Sequence, residues 1–313
     1  MADSDNEFAL ISRYFAGIGF TADSTVVGPG DDCAVIAPSP GEELCASIDT
    51  LVAGVHFPAD AAGDLVAHRS FGAAVSDLAA MGAEPFALTG ALTFPAVDHA
   101  WLQSFADSWA SLSEVHRMPL VGGNLARGPL SVTVNVLGTV PAGRALLRSG
   151  AGAGDGVFVT GNPGNAGGGL RLLGREAAPL LRDAYAAPTP RVSVGVEIRN
   201  LATAAIDVSD GLLADAGHLT RSSQCRIDIT SDSMPLSDEL VAAFGPKEAL
   251  QIAMTAGDDY ELLFTAPVAA TTDLARIAGL TGVAITQVGQ VHEGAGVTVD
   301  GAVPDFAAGY THF

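Results

Sequence analysis

The chain has 313 residues, long enough for two domains that each bury a core of their own. Hydrophobic residues make up 48% and charged residues 16%, a balance that fits a compact globular protein and argues against disorder. A net charge of −20 argues against nucleic acid or an anionic membrane as partner, and three cysteines without CxxC spacing give neither a zinc site nor a disulfide framework.

In chain order, residues 7–15 carry Phe8, Ile11, Tyr14 and Phe15 at helical spacing and predict a short amphipathic helix. A turn at 28–32 precedes a strand at 33–37, and a second strand at 44–48 leads through Asp49 toward Val55, His56 and Phe57. A helix is expected over 64–81, a strand over 86–94, a long helix over 98–117 and a strand over 130–140. The Gly- and Ala-rich stretch 141–155 reads as a join. Beyond it come a strand at 157–160, a glycine-rich run 161–170 entering a helix, and a proline break at 188–190 before a helix at 192–200. A strand at 204–208, a helix at 211–221 and strands at 261–265 and 284–291 complete the pattern. The class is α/β (α+β), with no solenoid repeat. No apolar run is long enough to span a bilayer and no basic-then-apolar leader opens the chain, so a cytoplasmic protein is expected.

Aspartates occur where the chain is otherwise aliphatic. Asp49 follows Leu44 to Ile48, Asp77 divides Ala73–Ser76 from Leu78–Met81, and Asp207 and Asp210 sit in the run from Ala204 to Leu213. Asp31 and Asp32 follow Gly28-Pro29-Gly30, while Asp258 and Asp259 precede Tyr260-Glu261-Leu262-Leu263-Phe264. A carboxylate in apolar surroundings is costly unless a positive charge neutralises it. Fourteen arginines and one lysine do not suffice, and few lie nearby in sequence. Mg²⁺, a hard cation bound through a few carboxylates and substrate phosphates, meets the requirement. Each motif also has a plainer reading. The 28–32 stretch serves equally as an ordinary turn, Ser209 or Asp210 as an N-cap of the next helix, and His56 as a satisfied turn histidine. The run 161–169 lacks GxxxxGK[ST] and the dinucleotide fingerprint, which excludes a P-loop and disfavours a Rossmann site. No GxSxG elbow or serine–histidine–acid set supports nucleophilic hydrolysis.

Taken together, GPGDDCAVI (28–36), SIDTLVAGVHF (47–57), VSDLAAMGAEP (75–85), GGNLARGPLSVTV (122–134), RSGAGAGDGVFVTG (148–161), IDVSDGLLADAGHL (206–219), GDDYELLF (257–264) and the terminal GYTHF resemble the thiamine-monophosphate kinases. That family belongs to the superfamily of aminoimidazole ribonucleotide synthetase and selenophosphate synthetase. The resemblance implies a two-domain chain. Residues 1–141 would form an N-terminal mixed sheet with helices that binds metal and nucleotide and pairs as a homodimer. Residues 142–313 would form a C-terminal α/β sandwich completing an ATP cleft. It also implies ATP-dependent phosphorylation of thiamine monophosphate to thiamine diphosphate, with several Mg²⁺ ions held at Asp32, Ser47, Asp49, Asp77, Asn124, Asp207 and Asp210. Gly123, Asn124, Arg148 and Ser209 match nucleotide contacts, with Asp210 and Arg148 in catalytic roles. His56, Asp258 and Phe306 match substrate contacts.

Such a reaction needs charge neutralisation and in-line positioning rather than a strong base, because the acceptor is already an anionic oxygen. Several positions depart from the family pattern. Asn124 stands where an aspartate ligand is usual, Ile48 where a hydroxyl residue is usual, and Asp258 where a glutamate is usual. Two other readings stay open: a relative using ATP on another small acceptor, and a nucleotide-binding homologue of reduced activity.

Overall fold

The computed structural model describes residues 6–18, 22–175, 178–304 and 309–310. The chain divides into two compact units, one of Met1–Leu78 with Glu84–Gly143 and one of Ala79–Ala83 with Arg144–Phe313.

In the first unit, α1 (Glu7–Leu10) is capped by Asn6, whose Oδ1 accepts the Ala9 N–H at 2.9 Å, and then widens into a π-helical segment over Ile11–Phe15. The helix expected over 7–15 is thus present, with a looser second half. β1 (Thr25–Val27) and β2 (Val35–Ile36) form a two-stranded ribbon. There follow β3 (Glu42–Val52), α2 (Gly63–Ala80), β4 (Glu84–Phe94), α3 (His99–Val115), β5 (Leu120–Arg127) and β6 (Ser131–Pro141). Asp98 starts α3 by accepting the Ala100 and Trp101 N–H groups at 3.0 and 3.1 Å. The sheet order is β3-β6-β4-β5, with β4 and β5 parallel across α3 and the other pairs antiparallel.

Register assigns the faces of this sheet. Asp49, Val134, Gly90 and Gly123 form one row across the four strands. Val132, Val134 and Val136 on that side are fully buried, each contributing about 1.5–3 kcal/mol. Gly90 leaves room for Trp109 of α3, because a Cβ there would lie 2.5 Å from the indole ring. The adjacent row, Thr50, Thr133, Ala91 and Asn124, belongs to the opposite face. On that face Ile48 is 62% exposed.

The second unit contains β7 (Asp155–Thr160), α4 (Asn165–Arg171), α5 (Pro179–Ala186), α6 (Val192–Ile198), β8 (Ala204–Asp207) and α7 (Leu212–Ser223). It continues with β9 (Arg226–Ile229), α8 (Asp238–Phe244), α9 (Pro246–Thr255), β10 (Leu262–Pro267), α10 (Thr271–Thr281), β11 (Ile285–His292) and β12 (Gly296–Val299). Its six strands run β12-β9-β11-β7-β10-β8, antiparallel except for β12 beside β9. Both faces are buried, which explains why these strands read as continuous apolar runs. Val157, Val159 and Ile206 enter one core with Leu212, Leu219 and Ala253. Phe158, Ala205 and Phe264 enter another with Ile198, Leu274 and Ile277. This is the expected α/β sandwich. No helix among the described residues is long and apolar enough to cross a membrane.

Candidate functional site

In the first unit, β3 continues straight through Asp49, so Ser47 and Asp49 share the covered face of the strand. Asp77 approaches from the last turns of α2, and its Oδ2 accepts a short hydrogen bond from Ser47 Oγ. Burial, followed by the charge of Asp77, raises the Asp49 pKa from 3.8 to about 6. Among the described residues, no arginine, lysine or histidine forms an ion pair with Asp32, Asp49 or Asp77. Two neighbouring carboxylates and a hydroxyl without a cationic partner fit Mg²⁺ better than they fit a structural role. Among the described residues, no group of three or more His, Cys, Asp or Glu side chains is placed to hold a metal ion.

His56 sits in the turn after β3, where its Nδ1 accepts the Val52 N–H at 3.0 Å. With Nδ1 acting as acceptor, the neutral ring carries its proton on Nε2. Arg69 of α2, only 1% exposed, donates Nε and Nη2 to the His56 carbonyl at 3.2 and 2.9 Å. The histidine is therefore fixed at both ring and backbone.

The 28–32 loop folds on itself, the Asp32 N–H donating to Asp31 Oδ1 at 2.8 Å. It lines a cavity of about 530 Å³ together with Phe8, Ile11, Trp109 and the backbone of residues 122–125. Asp32, Gly123 and Asn124 are thereby brought to one place. Asp49 and Asn124 are not. They belong to strands at opposite edges of the sheet and to rows on opposite faces. Three inter-strand spacings separate those edges by about 14 Å, too far for one ion to bridge within a single chain.

In the second unit, Asp207 ends β8 and is 4% exposed, and Ser209 and Asp210 follow in the turn before α7. Neither Ser209 nor Asp210 caps that helix, whose N-cap is Gly211 at φ 120° with no side-chain cap. The role falls to Asp215, a residue the sequence pattern did not single out. Its Oδ2 accepts the N–H groups of Ser209, Asp210 and Gly211 at 3.0, 3.1 and 3.2 Å. Burial raises its pKa to about 7; the three amides oppose this and the charge of Asp210 adds to it. Arg148 is exposed, and its carbonyl accepts Ser223 Oγ at 3.1 Å. Burial, then the charges of Arg221 and Arg148, hold His218 below its ordinary pKa, while the charge of Asp210 pulls it up.

The acids of the 257–261 segment have separate tasks. The Asp258 N–H donates to the Ser209 carbonyl at 2.9 Å, and Asp258 Oδ1 accepts the Tyr260 hydroxyl at 3.1 Å. Asp258 and Tyr260 both have positive φ, at 69° and 51°, a strained backbone of the kind found at functional sites. Asp259 points inward, accepting the Gly164 and Ala166 N–H groups at 2.6 and 3.2 Å, and burial raises its pKa well above the ordinary value. Those two amides of the glycine-rich run are thus taken by protein. Glu261 is held by Arg191 through two 2.6 Å bonds and by Thr160 Oγ1 at 2.6 Å. A Cβ on Gly161 would strike that carboxylate at 1.9 Å. Phe306 lies outside the described residues.

Residues 30–140 match the family of AIR synthase related proteins, N-terminal domain, and residues 152–301 match its C-terminal domain. A thiamine-monophosphate kinase of Salmonella typhimurium is 42% identical over 318 residues, covering 98% of each chain. The solved thiamine-monophosphate kinase of Stenotrophomonas maltophilia superposes with a TM-score of 0.86 at 39% identity, covering 90% of this chain and 93% of the other. The structure of AaThiL complexed with AMPPCP and TMP gives 0.80 at 31% identity, covering 88% and 89%. Matched by these relatives over nearly its whole length in sequence and in fold, the chain belongs to the thiamine-monophosphate kinase family.

Proposed function

We propose that the protein transfers the terminal phosphoryl group of ATP to the phosphate of thiamine monophosphate, giving thiamine diphosphate and ADP. The observation that carries this reading is the Ser47–Asp49–Asp77 cluster, half-buried, repulsive and, among the described residues, without a basic partner, in a chain 42% identical to a thiamine-monophosphate kinase. A neighbour of the same fold has been solved with an ATP analogue and TMP.

In this reading Asp32, Ser47, Asp49, Asp77, Asp207 and Asp210 hold Mg²⁺, with Asn124 as a neutral ligand. Held by these residues, Mg²⁺ would supply charge neutralisation of the polyphosphate. Residues 1–141 provide the nucleotide-binding half. There the cavity between the 28–34 loop and residues 122–125 offers glycine backbone to phosphate and Phe8, Ile11 and Trp109 to a base. Residues 142–313 provide Asp207, Ser209, Asp210 and Arg148, with Arg148 countering charge on the transferred group. His56 presents Nε2–H to the thiamine phosphate, and Asp258 and Phe306 complete substrate recognition. No base is required, so transfer is direct, without a phosphoenzyme.

A homodimer through the open sheet face of the first unit fits the 62% exposure of Ile48 there. A cytoplasmic setting keeps Cys33, Cys45 and Cys225 reduced, in keeping with their lack of a disulfide. The test is to incubate purified protein with ATP, Mg²⁺ and thiamine monophosphate, alongside a panel of other small phosphates, carboxylates and amides. Thiamine diphosphate formed in step with ADP supports the reading. Turnover on another acceptor alone would replace the substrate, and nucleotide binding without ADP release would make the protein a binding homologue.

A further inference from the structure

The turn that carries Ser209 and Asp210 is held from both sides of its backbone. On one side a single oxygen of Asp215, a residue 2% exposed, collects three consecutive N–H groups from Ser209, Asp210 and Gly211. On the other side the Ser209 carbonyl accepts the Asp258 N–H and the Asp210 carbonyl accepts the Tyr310 N–H, both at 2.9 Å. Gly211 adds a steric stop, because a Cβ there would meet the Thr255 carbonyl at 2.7 Å. Gly257 lies equally close to the Ser209 carbonyl, with a Cβ position 2.4 Å from it.

A carboxylate has about four acceptor sites on two oxygens, and ordinary helix capping uses one or two amides. Three successive amides converging on one oxygen do more than cap α7. They fix the peptide planes of residues 209–211, and with them the directions in which the Ser209 and Asp210 side chains leave the backbone. Phosphoryl transfer depends on such positioning, since ligands held 1 Å too loosely forfeit most of the effect.

We propose that Asp215 is a positioning residue for phosphoryl transfer, acting through the backbone of Ser209 and Asp210 to set where they meet the metal-bound nucleotide. This rests on the kinase reading above. Asp215 itself touches no reactant. It is distinct from the carboxylates expected to ligate Mg²⁺, and its removal changes the aim of Asp210 rather than the number of ligands.

Three variants test it: Asp215→Asn, which keeps an oxygen at the same reach, Asp215→Glu, which keeps the charge but moves the oxygen by one methylene, and Asp215→Ala. Positioning predicts that Asn retains kcat within about threefold, while Glu and Ala lower kcat by about 10–100-fold, the usual cost of losing a residue that orients a ligand. The Mg²⁺ concentration for half-maximal rate rises with the loss, and KM for thiamine monophosphate stays within about twofold of wild type. Should Ala fail to fold, the contrast between Asn and Glu carries the same comparison. Equal kcat and equal Mg²⁺ titrations across folded Asn and Glu variants, with only the unfolding midpoint lowered, would reduce Asp215 to a helix cap and overturn the proposal. Wild-type protein that forms no thiamine diphosphate would count against the kinase reading instead. In that event the Mg²⁺ dependence of AMPPCP affinity in the same variants still decides the role of Asp215: a weakened dependence in Glu but not Asn supports it, and none in either refutes it.

Discussion

The two units hold their carboxylates by opposite means. In the first, Asp49 and Asp77 come from a strand and a helix far apart in sequence and face each other with one hydroxyl between them, so that Asp49 reaches a pKa of about 6. Their geometry rests on side chains and their charge is left unbalanced. In the second, Asp207 ends β8 and Asp210 follows in a short turn whose three amides are held by Asp215 and whose Ser209 and Asp210 carbonyls accept the Asp258 and Tyr310 N–H groups. There the backbone is over-determined and the acids are displayed from it. The first arrangement stores repulsion that a cation relieves, and the second stores orientation.

Removing a ligand from either arrangement should produce the largest effect. Asp77→Ala and Asp210→Ala are each expected to lower kcat by roughly 10²–10³-fold, the equivalent of several kcal/mol of lost charge stabilisation. Circular dichroism should show both variants folded, with Asp77→Ala unfolding within about 1 kcal/mol of wild type because it also removes repulsion on Asp49. A collapse of the fold in either variant would turn these acids into structural groups.

The next effect concerns scaffold rather than site. Arg191→Met leaves Glu261, a 6%-exposed side chain, without its two hydrogen bonds from the guanidinium. Such a break costs about 3–5 kcal/mol, measurable by urea unfolding, and a loss below about 1 kcal/mol would show that water reaches Glu261.

Stored repulsion in the first unit also predicts a pH dependence. The folded pKa of Asp49 is raised from 3.8 to about 6, so its contribution to stability is fully present below pH 3.8 and is lost as pH rises through about 6. Asp215, raised to about 7, acts in the same direction over a window reaching higher. Without Mg²⁺ the protein should therefore melt higher at pH 5 than at pH 7.5. Asp49→Asn should remove part of that difference, about 1 kcal/mol after allowance for solvent screening. An unchanged pH dependence in Asp49→Asn would show that Asp49 ionises normally.

The smallest effect is expected at Asn124. Asn124→Asp adds a charged ligand beside the 28–34 loop and should lower the Mg²⁺ requirement by a few-fold. Coincident Mg²⁺ titration curves for the two proteins would remove Asn124 from the metal site.

Much of this was legible in the residues alone, and the gaps have physical causes. Strand and helix periodicity located α2, α3, β4, β6, β7, β8 and α7 to within a few residues. β3 read too short because Asp49 resembles a strand end, whereas alternation continues through it to buried Leu51. β5 was hidden by Gly122-Gly123, which reads as a turn; Gly123 is needed because a Cβ would sit 2.2 Å from the Gly90 carbonyl of the parallel partner. Two helices did carry signals that could have found them: Ser237 accepting the Leu240 N–H at the start of α8, and Pro246 at the start of α9. In the site, isolated aspartates in aliphatic runs raised the question of what neutralises them, and the structure brings two of them, Asp49 and Asp77, close enough to repel. What sequence could not show is which acids are already spent. Asp259 and Glu261 resemble Asp258 in the chain, yet their partners Gly164, Ala166, Thr160 and Arg191 lie 70–101 residues away. Asp215 is local, but its role emerges only once the turn brings three amides to one oxygen.

The central claim is that these carboxylates gather divalent ions around a nucleotide. It is met most directly by crystals grown with AMPPCP, thiamine monophosphate and Mn²⁺ in place of Mg²⁺, with anomalous scattering used to find the metal. Peaks at 2.0–2.3 Å from Asp49 and Asp77, and from Asp207 and Asp210, with phosphate oxygens as further ligands, are the predicted result. A bound nucleotide with no peak at these side chains, or the same acids engaged only by arginines, would contradict it.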